Sequence, residues 1–357
     1  MPLHVPTLAV DLAALRANYR LLKDRHTAHA AAAVVKANAY GLGIEEVARA
    51  LWNEKCRTFF VATLAEGIAL RKILPDARIG VFNGVMAKEE KNYIKQRLTP
   101  VLNDVGQIER WAKIANPSFP AILHVDTGMT RLGLTASDLT QATKRYPEFL
   151  KNGLAYVMSH LACANDKKHA KNAEQLKRFQ SALKLLPGVK ASLCNSSGLF
   201  LPKGFHFDLP RPGCALYGIN PTDGKNPMAP VATLSAPFLQ VRTLDRNEAV
   251  GYGATFKANQ NSRIAIVGFG YADGWFRSLS NKCHAYIAGV KVPVVGRISM
   301  DMMALDVSTI PEAKLKAGAR AEFINTQQTV DDIAKAAGTI GYEVFTRIGR
   351  RVERRYS

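Results

Sequence analysis

From about residue 7 to residue 235, short apolar runs alternate with amphipathic stretches. TFFVATL (58–64) is followed by AEGIALRKIL, and LTPVLND (98–104) by VGQIERWAKI. PAILHVDTG (120–128) leads into ASDLTQATKRYPEF, and LAYVMSHL (154–161) into NAEQLKRFQSALKLL. RIGVFNG, VKASLCNSSG, FDLPRPG and CALYG complete the series. A short apolar run closed by glycine and polar residues reads as a buried strand. Strand, loop and helix repeated at this spacing predict parallel strands joined by crossover helices. About eight strands in some 230 residues predict a (β/α)8 TIM-like barrel. A doubly wound sheet is the competing layout, but no GxGxxG opens it.

Beyond residue 235 the texture changes. SRIAIVGFGYADG, CHAYIAGVKVPVVGRISMDMMALDV and ARAEFIN are short strands separated by glycine turns. This predicts a predominantly β-strand domain, interrupted by one helix in VDDIAKAAGTI before GYEVFTRIG. The division is therefore 1–235 for the barrel and 236–357 for the β domain. The opening TLAVDL, a strand feeding a helix, counts with the barrel.

Composition narrows the classes without choosing among them. With 357 residues and 47% hydrophobic positions the chain is globular, and no run approaches the length of a membrane span. The 48 Lys and Arg against 29 Asp and Glu give a net charge of +19. The charge is scattered and not interleaved with aromatics, so no nucleic-acid platform is predicted. The five cysteines are odd in number and never in CxxC, which argues against a disulfide framework or a zinc site. The start lacks the features of an export signal, so a cytoplasmic location is expected.

In a barrel of this kind chemistry gathers at the C-terminal ends of the strands. Lys36 stands there, closing the apolar run AAAAVV. A partly buried lysine loses proton affinity, which suits Schiff-base chemistry with an aldehyde cofactor. Arg131 follows HVDTGMT, His160 ends YVMSH, Asn195 and Ser196 follow ASLC, and Arg211 and Gly213 follow the next run. Singly, each has a plainer reading: a snorkelling lysine, a surface arginine, a satisfied core histidine, a helix cap. Together, on the strand ends of one ring, they converge on one pocket. The turn from Asn195 to Gly198, with free N–H groups, suits a phosphate. Gly213 allows close backbone approach.

The segments VVKANAYGLG, FFVATLAEG, HVDTGMTRLG, MSHLACA, CNSSG, DLPRPGCALYG, VGYGATF, GYADGW, GRISMDM and GYEVFTRIGRRVERRY occur in this order. Through them the chain resembles the fold-type III, pyridoxal-phosphate-dependent alanine racemases over essentially its whole length. The resemblance implies pyridoxal 5'-phosphate as cofactor, carried by Lys36. Lys36 and Tyr252 would be the two bases of Cα proton exchange, with His160 and Arg211 beside them and Arg211 facing the pyridine nitrogen. Tyr40, Ser196, Gly213, Cys214 and Tyr342 would bind the phosphate, next to Asn195. Arg131, Met300 and Asp301 would hold the substrate carboxylate, and Tyr271 and Arg277 would line the entrance. No metal is implied. Tyr252 would reach the site of another subunit, which implies a homodimer with shared sites. The implied role is to supply D-alanine for peptidoglycan, or to degrade it.

Three positions depart from the family's usual pattern. His124 stands where many members have a lysine, often carbamylated. A histidine cannot supply that negative charge, so an anion or a hydrogen bond would have to orient Arg131. Leu42 replaces a histidine in YGLG. Asn165, beside Asp166, replaces an entrance acid. Other readings remain: a racemase for serine, lysine or another amino acid; a decarboxylase or aldolase on the same barrel; or a non-enzymatic cofactor-holding or nucleic-acid-binding protein. A decarboxylase would be expected to place an acid where Arg211 stands.

Overall fold

The computed structural model describes residues 5–114, 118–316 and 318–357. Two compact units divide the chain: Leu15–Ala229, and the residues up to Ala14 together with Pro230–Ser357. Strand β1 (Thr7–Val10) belongs to the second unit. The first holds seven strands that pair in chain order, all parallel: β2 (Ala33–Val34), β3 (Thr58–Val61), β4 (Arg78–Val81), β5 (Leu98–Leu102), β6 (Ala121–His124), β7 (Leu154–Met158) and β8 (Ala191–Ser192). Phe59, Phe60, Val61, Ile79, Val81, Val101 and Leu123 are buried. Parallel strands covered on both faces need such unbroken apolar runs.

The ring closes through a segment that is not a regular strand. The N–H groups of Asp208 and Arg211 donate to the carbonyls of Ala191 and Cys194 at 3.0 and 2.8 Å. On the other side, the carbonyls of Pro210 and Pro212 accept from Ala32 and Val34 at 3.0 and 2.9 Å. Proline has no N–H, and here only its carbonyl is used. The run FDLPRPG thus takes the place of an eighth strand and completes a (β/α)8 barrel. CALYG, by contrast, is a 3-10 turn (Cys214–Tyr217) ended by Gly218 at φ 79°.

Side-chain caps set the turns at the mouth. Thr63, Asp104 and Thr135 accept the N–H groups of Glu66, Gln107 and Asp138, starting the helices Leu64–Ile73, Val105–Ala112 and Ala136–Arg145. Such a cap satisfies a donor the helix leaves open and fixes where the strand-end loop stops.

The second unit is rich in antiparallel strands. β9 (Ala232–Leu244) is 13 residues long. After the short hairpin β10 (Ala249–Val250) and β11 (Phe256–Lys257) come β12 (Ser262–Val267), β13 (His284–Ile287), β14 (Val290–Val295), β15 (Met303–Asp306), β16 (Arg320–Ile324) and β17 (Glu353–Tyr356). β9 pairs with β16 through one part of its length and with β12 through another. The order β12–β15–β14–β13–β16–β9 therefore returns on itself. Phe269, Trp275 and Phe323 pack together inside, with ring centroids 5.2–5.6 Å apart.

Two features of this unit differ from the sequence expectation. β1 pairs in parallel with β17 and antiparallel with β9, so TLAVDL joins the strand-rich unit rather than the barrel. A strand followed by a helix has the same local pattern whichever sheet receives it. There are also two helices near the C-terminus, Val330–Ala337 and Gly341–Arg347, not one. The first stops at Gly338, whose φ of 75° ends a helix without Cβ strain. Among the described residues no helix is long and apolar enough to cross a membrane.

Candidate active site

Lys36 follows β2 at the C-terminal end of the ring and is half-buried. Burial lowers its proton affinity, Arg131 lowers it further, and Glu66 opposes both. The ammonium lies 5.9 Å from the centre of the Phe82 ring.

Arg211, in the closing segment, is 2% exposed. One terminal nitrogen donates to Ser192 Oγ, and the other to the carbonyl of Ser159 at 2.6 Å. Its Nε has no hydrogen-bond partner among the described residues, leaving a buried donor available. Burial brings its pKa down to about 10, so it stays a cation at neutral pH. His160, just past β7, is kept neutral by burial and then by Arg211 and Arg131. Its carbonyl accepts from Gln175 at 2.9 Å.

His124 ends β6 and is 7% exposed. Its Nδ1 lies 2.8 Å from Asn103 Oδ1. Burial, then Arg211 and Arg131, push its pKa down to about 4. The loop after it is shaped by Asp126, whose carboxylate accepts the N–H groups of Gly128, Met129 and Thr130 at 2.8–3.1 Å. Burial alone would raise the pKa of Asp126, but these donors together with His124 bring it down. Arg131 leaves this loop exposed to solvent.

A second group converges on Gly213. Ser196 Oγ accepts the N–H groups of Gly213 and Ala215 at 2.9 and 3.2 Å, so its own hydrogen is free to point elsewhere. Ser196 precedes a 3-10 turn but makes no capping bond there. A Cβ added at Gly213 would lie 2.5 Å from Tyr40 Oη. Tyr40 is buried, with its ring 4.8 Å from that of Tyr217. Cys214, the next residue, is buried as well. The turn from Asn195 is less open than its sequence suggests, because the N–H of Gly198 donates to Asn195 Oδ1 at 2.9 Å.

The remaining sequence-derived residues lie in the strand-rich unit. The entrance turn and the Met300 turn are joined: Tyr271 N–H donates to the carbonyl of Ser299 at 3.1 Å, and Ala272 N–H to that of Met300 at 2.9 Å. Arg351 bridges them, 3.1 Å from Asp273 and 2.8 Å from Asp301. Tyr252 opens a 3-10 turn after Gly251 (φ 71°) and is 71% exposed. Arg277 starts a separate 3-10 turn, tied to the Tyr252 region by a 3.2 Å bond from Asn281 to Thr255. Tyr342 lies in the helix Gly341–Arg347, outside both turns.

Several supporting residues had escaped the sequence reading: Glu66, Asn103, Ser159, Ser192 and Gln175. Gln175 carried a signal, since it stands with Asn172, Phe179 and Ala182 on the buried face of its helix. A polar residue in that register points to an internal hydrogen-bond partner.

These groups fit pyridoxal 5'-phosphate. Lys36 offers an amine of lowered basicity, Arg211 an unused buried donor, and Tyr40, Ser196 and Gly213 a cradle that a single added Cβ would obstruct. Among the described residues no three His, Cys, Asp or Glu side chains group to hold a metal ion.

Comparison with known proteins agrees with this site. Residues 10–221 match the family model described as alanine racemase, N-terminal domain, and 231–356 that of the C-terminal domain. The alanine racemase of Rhodospirillum rubrum is 46% identical over 355 residues, covering 98% of this chain and 95% of its own. That of Brucella canis is 43% identical over 367 residues, covering 98% and 93%. Alanine racemase from Bartonella henselae, solved with covalently bound pyridoxal phosphate, superposes with a TM-score of 0.94 at 39% identity over 99% of each chain. The biosynthetic alanine racemase from Pseudomonas aeruginosa gives 0.91 at 35% identity, again over 99% of each.

Proposed function

The chain belongs to the alanine racemase family, and from that premise we propose that it interconverts L-alanine and D-alanine, with Lys36 as the base on one face of Cα and Tyr252 of the partner subunit on the other. Pyridoxal 5'-phosphate, when bound, supplies the electron sink that makes the Cα proton acidic. Lys36 anchors it and then handles a proton on one face. Its depressed basicity leaves more free amine near neutral pH. Exchange with inversion needs a second base opposite the first, and a phenol serves only where cations favour its phenolate. Arg211, buried and cationic, is one such group in the barrel.

Arg211 also limits the chemistry. An arginine remains a donor and leaves a ring nitrogen facing it unprotonated, which suits proton exchange better than steps needing a deeper sink. Tyr40, Asn195, Ser196, Gly213, Cys214 and Tyr342 are assigned to the phosphate in this reading. Arg131 and the Met300–Asp301 turn receive the substrate carboxylate, and Tyr271 and Arg277 line the way in. His124 is neutral, so an anion such as chloride beside Arg131 completes the local charge. The protein works as a cytoplasmic homodimer with shared sites. It supplies D-alanine for peptidoglycan or consumes it.

The single observation that carries this reading is the half-buried Lys36 at the mouth of a ring that also holds Arg211. Racemisation of L-Ala, L-Ser, L-Lys and L-Glu with added cofactor tests it, with L-Ala expected to turn over fastest. Tyr252→Phe should abolish racemisation while keeping the cofactor. Mixing it with Lys36→Ala should restore part of the activity. Wild-type rates in Tyr252→Phe would remove the second base, and no recovery despite subunit exchange would remove the shared site.

A further inference from the structure

The backbone after Lys36 takes a course that L-residues avoid. Ala37, Asn38, Ala39 and Tyr40 have φ of 52°, 55°, 52° and 56°. These are four successive residues in the left-handed region, each costing about 1–2 kcal/mol. Such a turn persists only where its surroundings over-determine it. Part of the restraint is internal: Gly41 N–H donates to the carbonyl of Ala37 at 2.9 Å, and Ile44 N–H to Asn38 Oδ1 at 2.8 Å. One bond comes from another element. The N–H of Ala37 donates to Glu66 Oε1 at 2.7 Å.

The other oxygen of Glu66 is also engaged. Oε2 accepts the N–H groups of Ala62 at 2.7 Å and Thr63 at 3.2 Å. Glu66 is the third residue of the helix capped by Thr63, whose Oγ1 accepts the Glu66 N–H at 3.3 Å. A capping-box glutamate ordinarily reaches back to its own N-cap and stops there. This one spans the end of β3 and the residue after Lys36, gathering three backbone donors from two elements.

We propose that Glu66 is the positioning residue of Lys36: it pins the peptide that follows the lysine and brings a negative charge to bear on its amine. The proposal rests on the reading of Lys36 as the cofactor-bearing base. The charged and titratable groups bearing on Lys36 are Arg131, Glu66 and His160. Arg131 favours the free amine, and among the described residues Glu66 favours the ammonium. Removing the Glu66 charge therefore lets Lys36 deprotonate at lower pH. Removing its bonds to Ala37 loosens the turn that aims the side chain.

The test compares wild type with Glu66→Gln, Thr63→Ala and Lys36→Ala. In cofactor-free protein, acylation of Lys36 is followed by peptide mass spectrometry across pH. In loaded protein, cofactor dissociation is measured, and attachment is trapped with borohydride. Glu66→Gln should move the acylation midpoint to lower pH and release the cofactor several-fold more readily, while still trapping it at Lys36. Thr63→Ala weakens the same helix without touching Ala37, so it should leave the midpoint unmoved. An unchanged midpoint and unchanged dissociation in Glu66→Gln would overturn the proposal. So would an equal shift in Thr63→Ala, which would reduce Glu66 to a helix cap. Failure of wild type to trap cofactor at Lys36 would instead overturn the parent reading, and the acylation midpoint would still decide the role of Glu66.

Discussion

Asn103 fixes the tautomer of His124. The Asn103 amide nitrogen donates to the carbonyls of Phe82 and Val101, both at 2.9 Å. Its Oδ1 is thus left as an acceptor, and His124 Nδ1, 2.8 Å away, must carry the hydrogen. The opposite nitrogen keeps its lone pair. A position expected to influence Arg131 therefore holds a neutral acceptor on a rigid support.

That neutrality makes His124 a source of acid lability. In the unfolded chain the ring takes up a proton as pH falls through about 6.5. In the folded chain it resists until about 4. The unfolded state gains the proton first, so the contribution is full above the unfolded pKa and is lost as pH falls toward the folded one. At full extent this is about 3 kcal/mol. Urea unfolding at pH 7 and pH 5 should show a smaller acid penalty for His124→Gln than for wild type. Equal penalties would contradict the assignment.

Gly213→Ala should cost cofactor affinity more than stability. The new Cβ would meet Tyr40 Oη at 2.5 Å and Tyr40 Cζ at 3.1 Å. The Tyr40 ring is already packed on Tyr217 and has little room to yield. Overpacking of this kind costs about 1–3 kcal/mol. Titration of cofactor-free protein should show affinity down at least tenfold. Gly204→Ala, where a Cβ meets nothing within 4 Å, is the matched control and should leave affinity unchanged.

Arg351→Met should raise KM for alanine several-fold and change kcat less. Arg351 ties Asp273 to Asp301 beside Met300. Asp273 is almost wholly buried, and burial raises its pKa, opposed in part by the Gly270 N–H and then by Arg351. Without the arginine, two acids face each other across the Met300 turn. Arg351 is exposed but Asp273 is not, so losing the pair should also lower stability measurably. Steady-state kinetics paired with denaturant unfolding separates the two effects.

Gln175→Leu should be costly although its volume is nearly kept. Gln175 is fully buried and holds the N–H of Ala162, the carbonyl of His160 and Thr127 Oγ1. Leucine leaves the first two without this partner, at roughly 1–3 kcal/mol each. The midpoint of denaturant unfolding should fall clearly, with activity falling in parallel.

The parts of the site legible in the sequence are those that local pattern marks. Lys36, His160 and Asn195 follow apolar runs, and a barrel gathers such strand ends at one face. The supporting residues were hidden because their partners are remote in the chain. Asn103 and His124 lie on neighbouring strand ends, and Ser192 meets Arg211 only when the ring closes. The closing segment FDLPRPG was legible as a member of the series, but its mode of pairing was not. Pro210 and Pro212 break the appearance of a strand while their carbonyls serve as one. The placement of β1 is a pairing across nearly the whole chain, to which no local window is sensitive.

That last pairing bears on how the molecule is made. Thr7–Val10 leaves the ribosome well before its parallel partner Glu353–Tyr356 is made. The barrel, Leu15–Ala229, is complete in the nascent chain long before then. Throughout that interval β1 waits with an unpaired edge, the kind of surface on which chains stick to one another. Fast production of this protein is therefore expected to carry an aggregation hazard during synthesis, in a strand of four residues outside the barrel unit.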